Sequence, residues 1–356
     1  DKFQEIKDVY PRLHAIEPPT FQLRSIYSLI EKKSWGKDLI LQLNKRPIPL
    51  VCTFFAQAFM AEYWGYKGQI YLLGTDSDLS RAWAPIRPHK TKIQYLAPTK
   101  EAGDRLVSYG VPQSQVFVTV FPLPLELTGS PFAPVARFDT LHRLSRLDPK
   151  GIYMKKYAGV LKQYLHRMPP AAGKSSVPAV TFAIGGAGGQ VEIAQDIIEG
   201  LAPLLKKRAM RLYCIAGAHK DIAKTLLASV KGAGLQSVLS KSVCIESANT
   251  KAEYFREFNR IMRRTDILWT KPSELVFFAG LGIPLCIAPP VGSQEVFNRK
   301  WLLQIGAGVD QLNPKHASEW LPDLIQKGVF ARAAMQGFVE IEKRGLWNIQ
   351  KIIKNR

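Results

Sequence analysis

The chain has 356 residues, of which 46% are hydrophobic and 22% charged, so it is long enough for two ordinary domains with a sizeable core. No run of 18 apolar residues occurs, which argues against a segment that spans a bilayer. The net charge of +20 suits an anionic partner such as a membrane face, a nucleic acid or a phosphorylated ligand, with solubility alone as the alternative.

The cysteines are widely separated and form neither a CxxC pair nor a cluster with metal-ligand spacing. We therefore expect no metal site and no disulfide, but buried reduced thiols of a cytoplasmic protein. The four are Cys52, Cys214, Cys244 and Cys286.

Strand and helix patterns alternate along the first part of the chain, which predicts a parallel sheet covered on both faces. The predicted elements are a helix at 24–43, a strand passing into a helix at 47–65, strands at 68–78 and 92–97, a helix at 99–109 capped by Thr99, and a strand within 110–124.

The segment between the two halves is rich in proline, glycine and basic residues. Residues 131–170 carry eight basic and two acidic side chains. Within it, Tyr153 to Arg167 is predicted to form a basic amphipathic helix with an aromatic and aliphatic side. Such a helix fits an interfacial segment on anionic lipid, while core packing of the aromatic stripe is an equal alternative.

The alternation resumes in the second half of the chain, again predicting a parallel sheet. Strands are predicted at 177–184, 211–216, 242–245, 266–269 and 283–288. Helices are predicted at 189–206, 219–233, 251–264, 274–281, 294–305 and 333–354.

Four glycines separate the strand 177–184 from the helix that follows. Free N–H groups and the dipole of a helix N-terminus attract anions, and glycine lets phosphate oxygens approach closely. The pattern is neither the GxGxxG fingerprint nor a P-loop, so a tight turn without a ligand is the alternative. The candidate donors are Gly185, Gly186, Gly188, Gly189 and the Gln190 side chain.

Two polar loops follow later strands, at the strand ends where open α/β sheets bind ligands. In the first loop Ser273 and Glu274 stand at a helix start, where capping is the alternative to sugar binding. In the second, a solvated first turn is the alternative. The candidates in both loops are Lys271, Ser273, Glu274, Gly292, Ser293, Gln294, Glu295 and Asn298.

The runs GGAGGQ, TKPSE, GIPL, PPVGSQEVFN and GAG, in that order between residues 185 and 308, resemble the C-terminal half of glycosyltransferase family 28 enzymes. That family includes the lipid-I N-acetylglucosaminyltransferase and the mono- and processive diacylglycerol glycosyltransferases. The segment 47–124, with its LLGTDSD run, resembles the acceptor domain of the same enzymes. Together these segments cover about two thirds of the chain.

The resemblance implies a GT-B fold, in which two Rossmann-like domains with parallel sheets face a central cleft. It also implies an inverting, metal-independent transfer without a cofactor, from a UDP-linked or similar nucleotide sugar. The glycine loop would hold the diphosphate, Glu274 the ribose, and Gln294 with Glu295 the donor sugar. Ala216, Gly217 and His219 would lie near the base and ribose.

Two departures from the family pattern concern the chemistry. Spacing back from Gly282 puts Phe277, rather than Glu274, at the usual ribose-binding acid. The GGGH-like loop of the family's first βα unit is absent, which leaves the catalytic base unassigned. An inverting transfer needs such a base to take the acceptor proton. The candidates are Asp76, Asp78 and His89, with turn or cap roles and a surface loop as the alternatives.

The domains expected are 1–130, an acceptor-side Rossmann-like domain without its first βα unit; 131–176, a basic linker; 177–332, the nucleotide-sugar domain; and 333–356, a C-terminal helix with a return to the first domain as one option. Arg81 and Arg87 are candidates to meet a phosphate or a lipid headgroup, with a solvated face as the alternative.

The sequence therefore predicts a glycosyltransferase, cytoplasmic and peripheral at the inner face of the membrane, that acts on a lipid-linked or hydrophobic acceptor. A UDP-N-acetylglucosamine 2-epimerase and a non-catalytic sugar-binding scaffold that needs a partner remain alternatives. No specific nucleic acid is expected, because the cations are dispersed and no RNA-binding or zinc motif occurs.

Overall fold

The computed structural model describes residues 18–171, 173, 177–184, 190–217 and 220–355. The chain forms two compact units: one comprises the residues up to Pro122 together with those from Arg344 onward, and the other comprises Leu123–Lys343. Segment 131–176, expected to be a linker, contains three helices that belong to the second unit.

The first unit contains a parallel four-stranded sheet whose strands lie side by side in chain order. Its strands are β1 (Leu50–Cys52), β2 (Ile70–Leu73), β3 (Gln94–Ala97) and β4 (Val116–Val118). Its helices up to residue 122 are α1 (Phe21–Lys33), α2 (Lys37–Leu43), α3 (Phe55–Tyr63) and α4 (Lys100–Ser108), with 3-10 turns at Arg81–Trp83, Pro88–Lys90 and Gln113–Gln115.

The second unit contains a parallel six-stranded sheet of order β10-β9-β8-β5-β6-β7, which is the Rossmann order. Its strands are β5 (Ala179–Ala183), β6 (Arg211–Gly217), β7 (Val243–Ser247), β8 (Ile267–Thr270), β9 (Leu285–Ile287) and β10 (Gly308–Asp310).

Ten α-helices and three 3-10 segments of the second unit lie among the described residues. The helices are α5 (Leu125–Thr128), α6 (Pro134–Leu147), α7 (Ile152–Lys156), α8 (Ala158–Leu165), α9 (Val191–Lys206), α10 (Lys220–Gly232), α11 (Lys251–Met262), α12 (Ser293–Gln304), α13 (Ala317–Gln326) and α14 (Val329–Glu340). The 3-10 segments are Gln236–Val238, Glu274–Leu281 and Pro314–His316.

The last helix, α15 (Gly345–Lys354), belongs to the first unit. Its Ile349 packs against Tyr71 and Leu96 of the first sheet, and the Asn348 Nδ2 donates to the carbonyl of Thr119 at 3.1 Å. The single helix predicted at 333–354 is wrong, because the backbone becomes extended at Ile341 and the chain passes there into the other unit.

Three other predicted helices differ from the structure. The helix at 24–43 is broken by left-handed residues at Ser34 and Gly36, where a side chain in place of glycine would meet Met60. The amphipathic helix at Tyr153–Arg167 is split at Tyr157 into α7 and α8. The helix at 274–281 is a 3-10 segment. The predicted strands β1 to β9 are confirmed, with ends shifted by a few residues.

The aromatic stripe of α7 and α8 is divided between core and surface. Tyr153 and Leu161 are buried, whereas Tyr157, Val160 and Tyr164 are more than a third exposed. The core-packing alternative therefore holds for the first two side chains alone.

A buried arginine of helix α6 bonds to other parts of the second unit. The Arg143 guanidinium donates to the carbonyl oxygens of Thr265 at 2.7 Å and of Leu281 at 3.0 Å. Beside it, Arg146 forms an ion pair of 2.8 Å with Asp266, whose carboxylate is fully buried. Two basic residues of the supposed linker are thus structural parts of the domain.

Candidate functional site

The carboxyl ends of β5 and β8 lie side by side at the centre of the second sheet. From β5 the chain proceeds through α9 to β6 on one side, and after β7 it returns to β8 on the other side. Such a reversal is where open α/β sheets bind ligands. The Thr270 hydroxyl donates to the carbonyl of Ala183 at 3.2 Å and joins the two strand ends.

A lysine and a glutamate from the two predicted polar loops meet at this edge. The Lys271 Nζ lies 2.5 Å from the Glu295 Oε1, and the other carboxylate oxygen of Glu295 accepts from the Val291 N–H at 2.7 Å. Glu295 is buried in the first turn of α12. The alternative of a solvated first turn is therefore wrong for this residue.

An asparagine one turn further along α12 fixes the loop that follows β8. Asn298 is fully buried, and its Nδ2 donates to the carbonyl of Pro272 at 3.0 Å. A buried amide is stable only when its polar atoms are bonded, so this side chain holds the Lys271 loop in place. The structure thus brings Lys271, Glu295 and Asn298 into one group.

The N-termini of two long helices reach the same edge. Gln190 precedes α9 in a left-handed conformation, and its Nε2 donates to the carbonyl of Pro289 at 2.7 Å. The loop after β9 is therefore tied to the start of α9. Free N–H groups and helix dipoles at α9 and α12 favour an anion here, and Lys271 adds a positive charge.

The other candidates of the second unit occupy the surroundings of this group. Ser273 precedes the 3-10 segment without a side-chain capping bond, so its proposed capping role is wrong. Glu274 is exposed. Burial raises the pKa of the nearby Tyr254, and the charge of Glu274 raises it further. Gly292 precedes α12, Ser293 is exposed, and Gln294 is half-buried.

Gly217 ends β6 with a φ of +66°, at a point where the register between β6 and β7 shifts. Its carbonyl accepts from the Ala248 N–H at 3.0 Å. The remaining candidates lie outside the described residues: Gly185, Gly186, Gly188, Gly189 and His219.

The candidate bases of the first unit do not form one group. Asp76 and Asp78 follow the carboxyl end of β2, whereas His89 precedes the amino end of β3 and is exposed. Since the strands are parallel, these positions belong to opposite edges of the sheet. Asp78 also forms two bonds to Arg105, of 3.0 Å from Nε and 2.6 Å from Nη2.

The two candidate arginines of the first unit, Arg81 and Arg87, have different environments. Arg81 is buried, and its guanidinium donates to the carbonyl oxygens of Ala84 at 2.6 Å and Pro85 at 3.2 Å. The alternative of a solvated face is therefore wrong for Arg81. Arg87 is exposed.

Sequence reasoning missed the backbone partners that organise the site. The carbonyls of Pro272 and Pro289 and the N–H of Val291 each hold one of the candidate side chains. A signal was present in the spacing of Gly292 and Glu295, because a glutamate at the third helical position commonly bonds back to the residues before the helix.

Among the described residues, no three His, Cys, Asp or Glu side chains are grouped so as to hold a metal ion. In the same part of the chain, no helix has the length and apolar character needed to cross a membrane.

The family described as "Domain of unknown function (DUF6938)" matches residues 166–350, which is more than half of the chain and includes the whole group around Lys271 and Glu295. The chain belongs to the DUF6938 family. No curated protein matches this DUF6938 chain in sequence.

Solved structures show that this DUF6938 chain has the GT-B fold. The S. aureus MnaA–UDP co-structure is 13% identical, with a TM-score of 0.54 over 92% of this chain and 80% of that one. The Neisseria meningitidis UDP-GlcNAc 2-epimerase bound to UDP-GlcNAc is 14% identical, with a TM-score of 0.50 over 99% and 89%. Acinetobacter baumannii MurG is 13% identical, with a TM-score of 0.50 over 93% and 79%.

Proposed function

We propose that this chain is an inverting glycosyltransferase that moves a sugar from a UDP-linked donor to a lipid-linked or other hydrophobic acceptor at a membrane surface. The observation that carries the proposal is the group at the centre of the second sheet: Lys271, Glu295 and Asn298 beside the N-termini of α9 and α12. Solved structures of the same fold hold UDP or UDP-GlcNAc, which supports a nucleotide sugar as the ligand.

The chemistry of this edge matches the parts of a nucleotide sugar. A diphosphate is stabilised by N–H groups at a helix N-terminus and by a nearby cation. Sugar hydroxyls donate to carboxylates, and Glu295 is held ready by Lys271 and the Val291 N–H. We assign the diphosphate to the start of α9, and the sugar to Gln294 and Glu295.

The hydrophobic acceptor is supported by the surface of α1 and α2. Leu29, Trp35 and Leu39 are exposed by 46%, 43% and 52%. Exposed apolar and aromatic side chains among lysines are typical of surfaces that lie on anionic membranes. The exposed lysines of this segment are Lys32, Lys33 and Lys37.

A UDP-sugar 2-epimerase is the second candidate, because two of the similar structures bear that activity or bind UDP in the same fold. Epimerisation needs acidic and histidine side chains that converge on the sugar. In the first unit Asp78 is bound to Arg105, and His89 belongs to the other edge of its sheet. An inverting transferase needs one such base, whereas an epimerase needs several groups together, so this separation favours the transferase.

The first test is binding of UDP and UDP-N-acetylglucosamine, measured by calorimetry and thermal unfolding. A ligand at a hundredfold excess over its Kd should raise the free energy of unfolding by about 2.7 kcal/mol. Labelled donor is then incubated with extracted lipid. Label in the lipid supports the transferase, whereas conversion of the free nucleotide sugar to its epimer identifies an epimerase. Binding without any reaction identifies a sugar-binding scaffold. Absence of nucleotide binding overturns the proposal.

The membrane part has its own test. Leu39→Asp places a charge on α2 and should reduce sedimentation of the protein with phosphatidylglycerol vesicles several-fold. Leu227→Asp, which changes a leucine of α10 that is 43% exposed, is the matched control and should not reduce it. Equal sedimentation of both variants and the parent chain would remove α2 from the membrane surface.

A further inference from the structure

A cavity with basic walls lies at the edge of the six-stranded sheet opposite to the group around Lys271 and Glu295. It has a volume of about 450 Å³. Arg211 is the first residue of β6, Lys241 precedes β7, and Arg264 precedes β8. Since these strands are parallel, their amino ends meet at one edge, away from the strand ends that carry Lys271. The lining also includes Cys244, Glu246 and Arg260.

The charges of this cavity do not balance. Four cations line it with a single carboxylate, that of Glu246, which lies 3.5 Å from Arg260. Arg260 also bonds to Glu257 at 2.6 Å. In the part of the chain that the structure describes, Arg211, Lys241 and Arg264 have no carboxylate partner. Three positive charges therefore face the cavity without compensation.

The fields of the arginines converge inside the cavity. Burial raises the pKa of the Cys244 thiol, with Glu246 acting in the same direction, whereas Arg260, Arg211 and Arg264 each act to lower it. Like charges that line one cavity repel one another, and an anion bound between them would reduce the repulsion. Arg211 and Arg264 are exposed, and guanidinium groups match the oxygens of phosphate groups, to which they donate two bonds at a time.

A neighbouring cavity differs from this one in its balance of charge. A cavity of about 420 Å³ shares Arg211 and Arg264, but its other arginines are neutralised. There Arg146 is paired with Asp266, and Arg263 with Asp139 at 3.0 Å.

We propose that the cavity between Arg211, Lys241 and Arg264 is a binding site for a multiply charged phosphate compound, such as a diphosphate or a group bearing phosphate monoesters. The site is separate from the proposed nucleotide-sugar site and does not depend on it. A free phosphate compound and an anionic lipid headgroup offer the same chemistry, so the experiment tests both sources.

The test uses inorganic pyrophosphate, measured by titration calorimetry on the whole chain with a saturating concentration of UDP. The UDP blocks pyrophosphate from the proposed nucleotide-sugar site. If UDP does not bind there, the cavity variants still show whether pyrophosphate binds in the cavity. Arg211→Gln and Arg264→Gln should each raise the Kd for pyrophosphate by at least about tenfold, because each removes a charged hydrogen-bond donor. Arg332→Gln, which removes an exposed guanidinium of α14, is the matched control and should leave the Kd unchanged.

The lipid arm repeats the comparison with vesicles of phosphatidylglycerol and phosphatidylcholine. Loss of vesicle binding in Arg211→Gln and Arg264→Gln, but not in Arg332→Gln, identifies a headgroup as a source. Loss of pyrophosphate binding alone identifies a soluble compound. Equal affinities of the parent chain and both cavity variants for both probes overturn the proposal. Thermal unfolding of each variant confirms that it is folded, and a failure of UDP binding affects only the proposed function.

Discussion

Lys271 and Glu295 form an ion pair of 2.5 Å that joins the end of β8 to the first turn of α12. Glu295→Gln keeps an acceptor for the Val291 N–H but removes the charge that holds Lys271. We expect the Kd for a UDP-sugar to rise about tenfold, whereas UDP alone binds at least as tightly, because Lys271 is then free to approach phosphate. Calorimetry with both ligands measures the difference.

The same substitution should lower the free energy of unfolding by about 1–2 kcal/mol, since a partly buried cation loses its partner. Asp310→Asn is the matched control, because it breaks the more exposed pair between Asp310 and Arg299, also on α12. We expect Asp310→Asn to change the free energy of unfolding by less than about 1 kcal/mol and to leave the affinities for UDP and for the UDP-sugar unchanged. A parallel loss of UDP and UDP-sugar binding in Glu295→Gln would contradict the assignment of Glu295 to the sugar.

The ion pair between Asp78 and Arg105 gives a test of the catalytic base. Both side chains are largely buried, with exposures of 16% and 7%. Asp78→Asn should lower the free energy of unfolding by about 3 kcal/mol, because it removes a negative charge that is bonded twice to the buried guanidinium of Arg105. Urea denaturation measures this loss, and kcat of the folded variant should stay within about threefold.

Lys100→Gln is the control for this prediction. It breaks the exposed pair between Lys100 and Asp104 on the same helix and should cost less than about 0.5 kcal/mol. The opposite result for Asp78→Asn, an unchanged stability with a kcat about a hundredfold lower, would identify Asp78 as the base.

Much of the architecture was predictable, because the strands are short apolar runs that end in polar or glycine-rich turns. The alternation of strands and helices predicts parallel sheets, and Thr99 caps α4 as expected, accepting from the Ala102 N–H at 3.0 Å. The helix breaks were less accessible. Ser34 is left-handed and the 274–281 segment is 3-10 because of tertiary packing, which local patterns do not encode.

The candidate site was predictable to the level of loops, but less well at the level of contacts. The positions of Lys271, Glu295 and Asn298 after two strands indicate a common edge, and the structure brings them together. Their partners are mainly backbone atoms, whose orientation follows from the folded loop and not from residue type. For Arg81 the charge pointed to the surface, whereas the folded chain buries it against two carbonyls.

The hydroxyl oxygen of Tyr71 is a buried polar atom whose removal should not destabilise the fold. Its side chain is fully buried between β2 and α15, and its hydroxyl has no hydrogen-bond partner among the described residues. Tyr71→Phe should therefore leave the free energy of unfolding unchanged or raise it by about 1 kcal/mol. Tyr95→Phe is the matched control on β3. Its hydroxyl donates to the Trp83 carbonyl at 3.2 Å, so about 1 kcal/mol should be lost.

Denaturant unfolding of both tyrosine variants gives the comparison. A loss of more than about 1 kcal/mol in Tyr71→Phe would mean that its hydroxyl is bonded in solution, for instance to a water molecule.

Lys343, the last residue of the second unit, should make stability depend on pH. Burial lowers the pKa of its amine to about 8, with Arg137 acting in the same direction and Glu342 against it. The amine donates to the carbonyls of Phe338 and Ile341, which keeps part of the charge stabilised. Between pH 8 and 10.5 the unfolded chain holds a proton that the folded chain has lost, so the Lys343 contribution to stability rises with pH across this window.

Lys343→Met retains the apolar stem and removes the titration. The difference in unfolding free energy between the parent chain and this variant should shift by about 1–2 kcal/mol from pH 8 to 10.5, allowing for solvent screening of a partly exposed amine. Thermal or urea unfolding across that range measures the slope. The exposed Lys351, changed to Met, should leave the slope as it is in the parent chain. Identical slopes for Lys343→Met and the parent chain would mean that the Lys343 amine remains protonated in the folded protein throughout, because its two carbonyl partners then outweigh its burial.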